Sequence, residues 1–191
     1  MRTLFAATLG LAMIAGLLVA DEPEKPKLDI RYVPTHPKAV EAMLKLAGVK
    51  EGDTVCDLGC GDGRIVIAAV KDFKAKKGIG YDLDPDRLKD CKVNLESAKL
   101  TAEQEKAITF KLGNVLKLTP DDFKDIDVVT LYLLPSINDK LQPVLKKGLK
   151  PGARVVSHDF SMTDWKEDKM IKVDAPDRTH SVYLWTIPAK N

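Results

Sequence analysis

The sequence predicts a doubly wound α/β fold, with a mostly parallel sheet that ends in a C-terminal antiparallel strand pair. Three observations predict it. Short apolar runs alternate with stretches of helical periodicity between residues 37 and 157. Parallel neighbours need such long crossovers, so the alternation implies a sheet covered on both faces. A glycine-rich turn, Gly59-Cys60-Gly61-Asp62-Gly63, follows the first apolar run and leads into helical periodicity, as at the ligand-binding edge of open parallel sheets. The last two apolar runs, 169–173 and 181–187, are separated only by a polar stretch containing DAPDRTH, which suits a turn rather than a crossover helix.

The elements follow in order. Thr35 precedes Pro37, and Val40, Met43, Leu44 and Ala47 fall at helical spacing before Gly48, which predicts a capped leading helix. Residues 54–58 form the first strand, and the stretch from Ile65 to Val70 begins a helix. Residues 78–83 (GIGYDL) read as the second strand, with Leu88, Cys91, Leu95 and Ala98 as the buried stripe of the next helix. Residues 108–112 are the third strand and 127–134 (DVVTLYLL) the fourth. Leu141, Val144 and Leu145 line a helix that ends near Gly148, and Gly152 opens a fifth strand through Ser157.

Composition narrows the class. Hydrophobic residues make up 45% of the chain and charged residues 30%, enough apolar surface for a packed core and incompatible with a mainly disordered or fibrous chain. Lys plus Arg number 30 against 28 Asp plus Glu, a balance that predicts no nucleic-acid partner. Cys56, Cys60 and Cys91 are odd in number and lack paired C-x-x-C spacing, so they read as buried thiols rather than a disulfide framework or a zinc site. His36, His158 and His180 sit on different elements, and their spacing predicts no metal site. His158-Asp159 follows the fifth strand near the ligand edge and reads as a surface hydrogen-bonded pair.

Residues 1–20 are a separate matter. Arg2 is followed by 17 uncharged residues, Leu4 to Ala20, and then by the polar DEPEKPK. That is the layout of a secretory signal, shorter than the ~20 apolar residues of a relaxed membrane span. The expectation is a signal peptide or membrane anchor over 1–20, a Pro- and charge-rich linker over 21–30 and the functional domain over 31–191. An exported (periplasmic or secreted) or membrane-anchored protein follows, rather than a cytoplasmic one.

The chemistry is carried by Asp57-Leu58-Gly59-Cys60-Gly61-Asp62-Gly63-Arg64. An acidic residue ends the strand, and glycines let backbone approach a ligand because they tolerate unusual dihedrals and carry no Cβ. Asp82, 25 residues after Asp57, ends the second strand, where a carboxylate can accept both hydroxyls of a ribose. A nucleoside-containing cofactor is indicated. Counting from Gly59 and Gly61, Arg64 stands where the dinucleotide fingerprint needs a small residue, which disfavours NAD and FAD. Asp57 suits the ammonium of an amino-acid-bearing cofactor better than a pyrophosphate.

The string DLGCGDGRI resembles motif I of class I S-adenosylmethionine-dependent methyltransferases, a Rossmann-like family, and the likeness extends over roughly residues 31 to 187. The resemblance implies S-adenosyl-L-methionine as cofactor, with Asp57, Gly59 and Gly61 along its methionine moiety, Asp82 on the ribose, Leu83 against adenine, Asn114 at the adenine amino group and Val115 offering its backbone N–H. Family members often carry Asp where Asn114 stands. The elements Tyr32-Val33-Pro34-Thr35 and Tyr132-Leu133-Leu134-Pro135 resemble a small-domain group related to the ATP synthase c-subunit lysine methyltransferases. That likeness implies N-methylation of protein lysine, with Tyr32, Thr35, Tyr132 and Pro135 around the acceptor, a protein or small molecule. Two further classes are compatible with the same residues: an exported adenosylmethionine-binding module without turnover, and a nucleotide-dependent oxidoreductase, which Arg64 disfavours.

Overall fold

The computed structural model describes residues 32–189. Five strands, β1 (Thr54–Leu58), β2 (Lys77–Asp82), β3 (Ile108–Leu112), β4 (Val128–Leu131) and β5 (Arg154–His158), run parallel. β6 (Lys169–Asp174) and β7 (Thr179–Thr186) run antiparallel to each other, and β7 also pairs antiparallel with β5. All seven form one sheet in the order β3-β2-β1-β4-β5-β7-β6, so the terminal pair is not an appendage but completes the sheet. The order reverses between β1 and β4, which opens a crevice at their carboxyl ends.

Both faces are covered. Alternate residues of each strand point to opposite faces: Val55, Val128 and Val156 pack with α1 (Pro37–Leu46), α2 (Arg64–Lys71) and α3 (Pro85–Ser97), whereas Cys56, Val129 and Val155 pack with α5 (Pro135–Gly148), Phe123 and Trp185. A short α4 (Ala102–Lys106) abuts β3. It is absent from the elements expected above, although Thr101 and Gln104 form a reciprocal capping box that announces a helix start.

The structure corrects three further details. β4 ends at Leu131, so Tyr132 to Leu134 leave the sheet as the connection to α5. His36, not Thr35, caps α1, its Nδ1 accepting from the Lys38 N–H at 3.2 Å. Gly152 lies in the turn before β5, with φ of 79°. The three cysteines are buried free thiols. The predicted signal or anchor segment and linker lie outside the described residues. Among those described, no helix is long and apolar enough to cross a membrane.

Candidate active site

The glycine turn is built by sterics and by backbone hydrogen bonds. The N–H groups of Gly59 and Cys60 both donate to the Tyr81 carbonyl at 2.8 Å, which fastens the turn to the end of β2. Gly59, Gly61 and Gly63 have φ of 81°, 54° and 78°, the left-handed region that side-chain-bearing residues resist. The space that they leave is taken by protein. A Cβ on Gly61 would lie 2.3 Å from Cε2 of Tyr32, and one on Gly63 would lie 2.5 Å from Cζ of Phe110. The glycines thus admit the chain's own rings as well as a ligand. From α3, the Cys91 thiol donates to the Gly61 carbonyl at 3.0 Å and the Asn94 amide to the Asp62 carbonyl at 3.0 Å.

Arg64 is the clasp of the site. Its Nε and Nη2 donate to Asp62 at 2.9 and 2.6 Å, and its Nη1 donates to the Thr35 carbonyl at 2.8 Å. The sequence shows Arg64 only as a residue too large for a dinucleotide turn. In the fold it ties the Tyr32–Thr35 segment over the mouth of the cleft. The Arg87 guanidinium lies 4.7 Å from the centre of the Tyr32 ring, a cation–π contact from the other side.

A cleft open to solvent lies at these strand ends, where open parallel sheets bind their ligands. Asp57, Gly59, Gly61, Asp82, Leu83, Asn114, Val115, Tyr32, Thr35 and Tyr132 all line it. Pro135 does not. It is exposed at the first turn of α5, where its fixed φ starts the helix, between Leu133 and Ile137, which do line the cleft.

The polar groups are poised for a charged, hydroxyl-bearing ligand. Asp57 is buried and accepts from the Thr130 hydroxyl at 2.6 Å. Burial pushes its carboxyl up to about 7, against the lowering effect of that bond, and the nearby Asp82 and Asp62 charges add to the rise. Asp82 accepts the Gly61 N–H at 2.8 Å on one oxygen and the Asp84 N–H at 2.9 Å on the other. Each oxygen keeps a lone pair for a ligand hydroxyl. Burial raises its pKa as well, opposed by these backbone donors. Asn114 Oδ1 caps the short turn Val115–Lys117 by accepting the Leu116 N–H at 2.9 Å, and the residue lines the cleft. These donors and acceptors fit S-adenosylmethionine: a carboxylate for its ammonium, a second for its ribose diol, and apolar Leu83 and Val115 walls for its adenine.

One cluster has no counterpart among the expectations from sequence. His158 and His180 are both buried, with His158 Nε2 2.9 Å from His180 Nδ1, and His36 stacks on His180 at 5.9 Å between centroids. His158 is therefore not at the surface. Ligating atoms of His36, Asp177 and His180, and of His158, Asp159 and His180, come within 4.8 Å of one another. Hydrogen bonds already engage both ring nitrogens of His158 and of His180. The Tyr132 ring lies 4.0 Å from that of His158, and its hydroxyl accepts from Arg178 at 3.4 Å. No sequence signal marks this cluster. It arises because His158 pairs with Val182 across β5 and β7, which puts His180 two residues along on the same face.

Comparison with known proteins agrees with this geometry. The family model "ANTKMT methyltransferase domain" matches residues 57–169. A protein-lysine N-methyltransferase of Saccharolobus islandicus is 42% identical over 158 residues, covering 83% of this chain and 94% of that one. The human ATP synthase c-subunit lysine N-methyltransferase is 29% identical over 174 residues, covering 86% of this chain and 68% of that one. A crystal structure described as an RNA methyltransferase from Salinibacter ruber, in complex with S-adenosyl-L-homocysteine, is 43% identical with a TM-score of 0.72, covering 83% of this chain and 96% of that one. With the strand-end cleft, the glycine turn and the paired carboxylates in place, the chain belongs to the ANTKMT methyltransferase domain family and is an S-adenosylmethionine-dependent methyltransferase.

Proposed function

We propose that the acceptor is the ε-amino group of a protein lysine. One observation carries the reading: the cleft is acidic. Asp57, Asp62, Asp82 and Asp84 line it, and its two basic residues are engaged, Arg64 by Asp62 and Arg87 by Asp84 and Asp90. Such a mouth offers no unengaged cation to a phosphate backbone, and the carboxylates not paired to arginine, Asp57 and Asp82, leave it with no excess positive charge to repel a cationic side chain. The names of the Saccharolobus and human relatives support the same acceptor. The description of the Salinibacter structure favours RNA instead, and the acidic lining speaks against that reading here.

Bound S-adenosylmethionine supplies a methyl group on a positively charged sulfur, a leaving group that is already activated. What falls to the chain is to hold donor and acceptor in line and to exclude water. Asp57, Asp82, Leu83, Asn114 and Val115 hold the donor. Tyr32 and Tyr132 wall the acceptor side, and Thr35 offers a hydroxyl oxygen there. A lysine ammonium, with a reference pKa near ~10.4, must shed a proton before its nitrogen can attack; desolvation beside Tyr32, Leu133 and Ile137 favours the neutral amine, and the aspartates of the lining oppose it.

The test is methyl transfer from radiolabelled S-adenosylmethionine into fractionated lysate of the native organism, with mass spectrometry of the product. Label on lysine nitrogen is the expected outcome. Label on a nucleobase would install the RNA reading, and label on carboxyl or hydroxyl groups would sink both.

A further inference from the structure

A chain of hydrogen bonds runs from the molecular surface to the acceptor side of the cleft, and its direction is set at the outer end. Asp177, half exposed on the turn between β6 and β7, is a carboxylate and can only accept. His180 Nε2 lies 3.2 Å from its Oδ1, so that nitrogen carries the proton. In a neutral imidazole the other nitrogen is then a lone pair, and His180 Nδ1 must accept from His158 Nε2 at 2.9 Å. A second acceptor, Asp159 Oδ2 at 3.3 Å from the same Nε2, requires the same tautomer. His158 Nδ1 is left as a lone pair, and its neighbour is the Thr35 hydroxyl at 3.4 Å. The Thr35 proton therefore points away from the cleft.

We propose that the chain Asp177–His180–His158 locks the Thr35 hydroxyl as a pure hydrogen-bond acceptor toward the methyl acceptor, so that Thr35 receives an N–H of the incoming amine. The proposal rests on the amine reading above and adds to it a selection rule. A donor such as an amine is held with its lone pair free for attack, and a carboxylate or carbonyl oxygen is turned away because it meets lone pairs. Thr35 touches the substrate in this scheme. His158 and His180 are positioning residues that act through it.

The surroundings support the assignment from every side. Tyr132 covers the His158 ring from the β4 connection, Asp159 is tied to Arg178 and to the Ser181 N–H, and His36 lies 4.0 Å from the outer Asp177 through its Nε2 while its Nδ1 caps α1. Burial lowers the His158 pKa to about 4, with His180 and Arg178 acting in the same direction against Asp159 and Asp177, so the ring is neutral at neutral pH. Thr35 itself is buried yet lines the cleft.

The proposal is tested first without any acceptor. In the full chain, labelled with ¹⁵N-histidine and loaded with S-adenosylhomocysteine at pH 7, two-bond ¹H–¹⁵N correlation reads each tautomer. His158 and His180 are expected as Nε2–H forms, and Thr35→Val is expected to move the His158 Nδ1 resonance. A proton on His158 Nδ1, or an unmoved resonance in Thr35→Val, overturns the chain. So does loss of the Nε2 protons of His36 and His180 on adding zinc chloride, which would make the cluster a metal site.

The second arm reads labelled methyl-lysine formed in lysate protein. Thr35→Val should lower turnover by about tenfold or more, the worth of one hydrogen bond to a charged or reacting group, with cofactor affinity unchanged, and Thr35→Ser should restore it. His158→Asn keeps an acceptor near the Nδ1 position and should retain most activity, whereas His158→Leu should fall to the level of Thr35→Val, and Thr35→Val/His158→Leu no further. Full turnover in Thr35→Val with label on lysine defeats this proposal and leaves the lysine reading standing. Label on a nucleobase defeats the lysine reading, and with it the role of Thr35 toward an amine, whatever the tautomers.

Discussion

Asp57 shows how one residue couples protonation to ligand binding. Burial holds its pKa at about 7, so near neutrality it is in part protonated in the free protein. An ammonium placed beside it favours the carboxylate, so binding should release a proton, and affinity for S-adenosylmethionine should rise as the pH goes from 6 through 7 and then level off. Calorimetry in buffers of different ionisation enthalpy measures that proton directly; no release at pH 6 would mean that Asp57 does not face the ammonium. Asp82 is expected to contribute through its charge-assisted bonds to the ribose. Asp82→Ala should weaken cofactor binding by about 1.5 to 3 kcal/mol, roughly ten- to 150-fold, with the fold retained by circular dichroism. An unchanged dissociation constant would remove Asp82 from the site.

At the scale of an element, the turn between β1 and α2 combines two constraints that sequence alone presents as one. The left-handed φ of Gly61 penalises any side chain, and its missing Cβ makes room for Tyr32. The two separate experimentally. Gly61→Ala should cost about 1 to 2 kcal/mol of stability from the backbone term and should also displace the Tyr32 ring, abolishing turnover. Adding Tyr32→Ala should relieve the steric part, recovering stability and cofactor binding in part but not turnover. Denaturation midpoints and calorimetry on the single and double variants decide it, and a double variant no more stable than Gly61→Ala would show that the ring is not what the glycine accommodates. The same turn explains why Arg64 was legible only as an exclusion: its partner is the Thr35 carbonyl, 29 residues earlier, and no local pattern encodes such a contact.

For the whole molecule, the sheet brings the residues proposed for the acceptor side together from three distant parts of the chain: Tyr32 and Thr35 ahead of α1, Tyr132 after β4, and the histidines of β5 and β7. In the proposed scheme this dependence on β7 gives the C-terminal hairpin a role in the site as well as in closing the sheet. Residues 1–20 remain a matter of address. We propose that they direct the chain across or onto a membrane, because 17 uncharged residues after Arg2 match what a translocation apparatus reads. N-terminal sequencing after fractionation of the native organism should find a membrane or exported form beginning at Asp21 if cleaved, or at Met1 in the membrane if not. A soluble cytosolic chain beginning at Met1 would refute it.

Local chemistry was enough for the sequence to determine the alternation of strands and helices, the limits of β1 and β3, and the glycine turn with Asp57 and Asp82 at its flanks, and hence a nucleoside-containing cofactor, which the family resemblance named as S-adenosylmethionine. Apolar periodicity and turn glycines act over a few residues, and strand ends of a parallel sheet lie on one edge by topology. Tertiary structure alone decided that Tyr132 sits beyond the end of β4 rather than within it, that Arg64 clasps Thr35, and that His158 and His180 meet. Each of these depends on the register and order of strands far apart in the chain, which is fixed by how the two faces of the sheet bury their apolar residues. The proposed direction of the Thr35 hydroxyl would be the furthest such consequence, set by a carboxylate 142 positions away in the sequence.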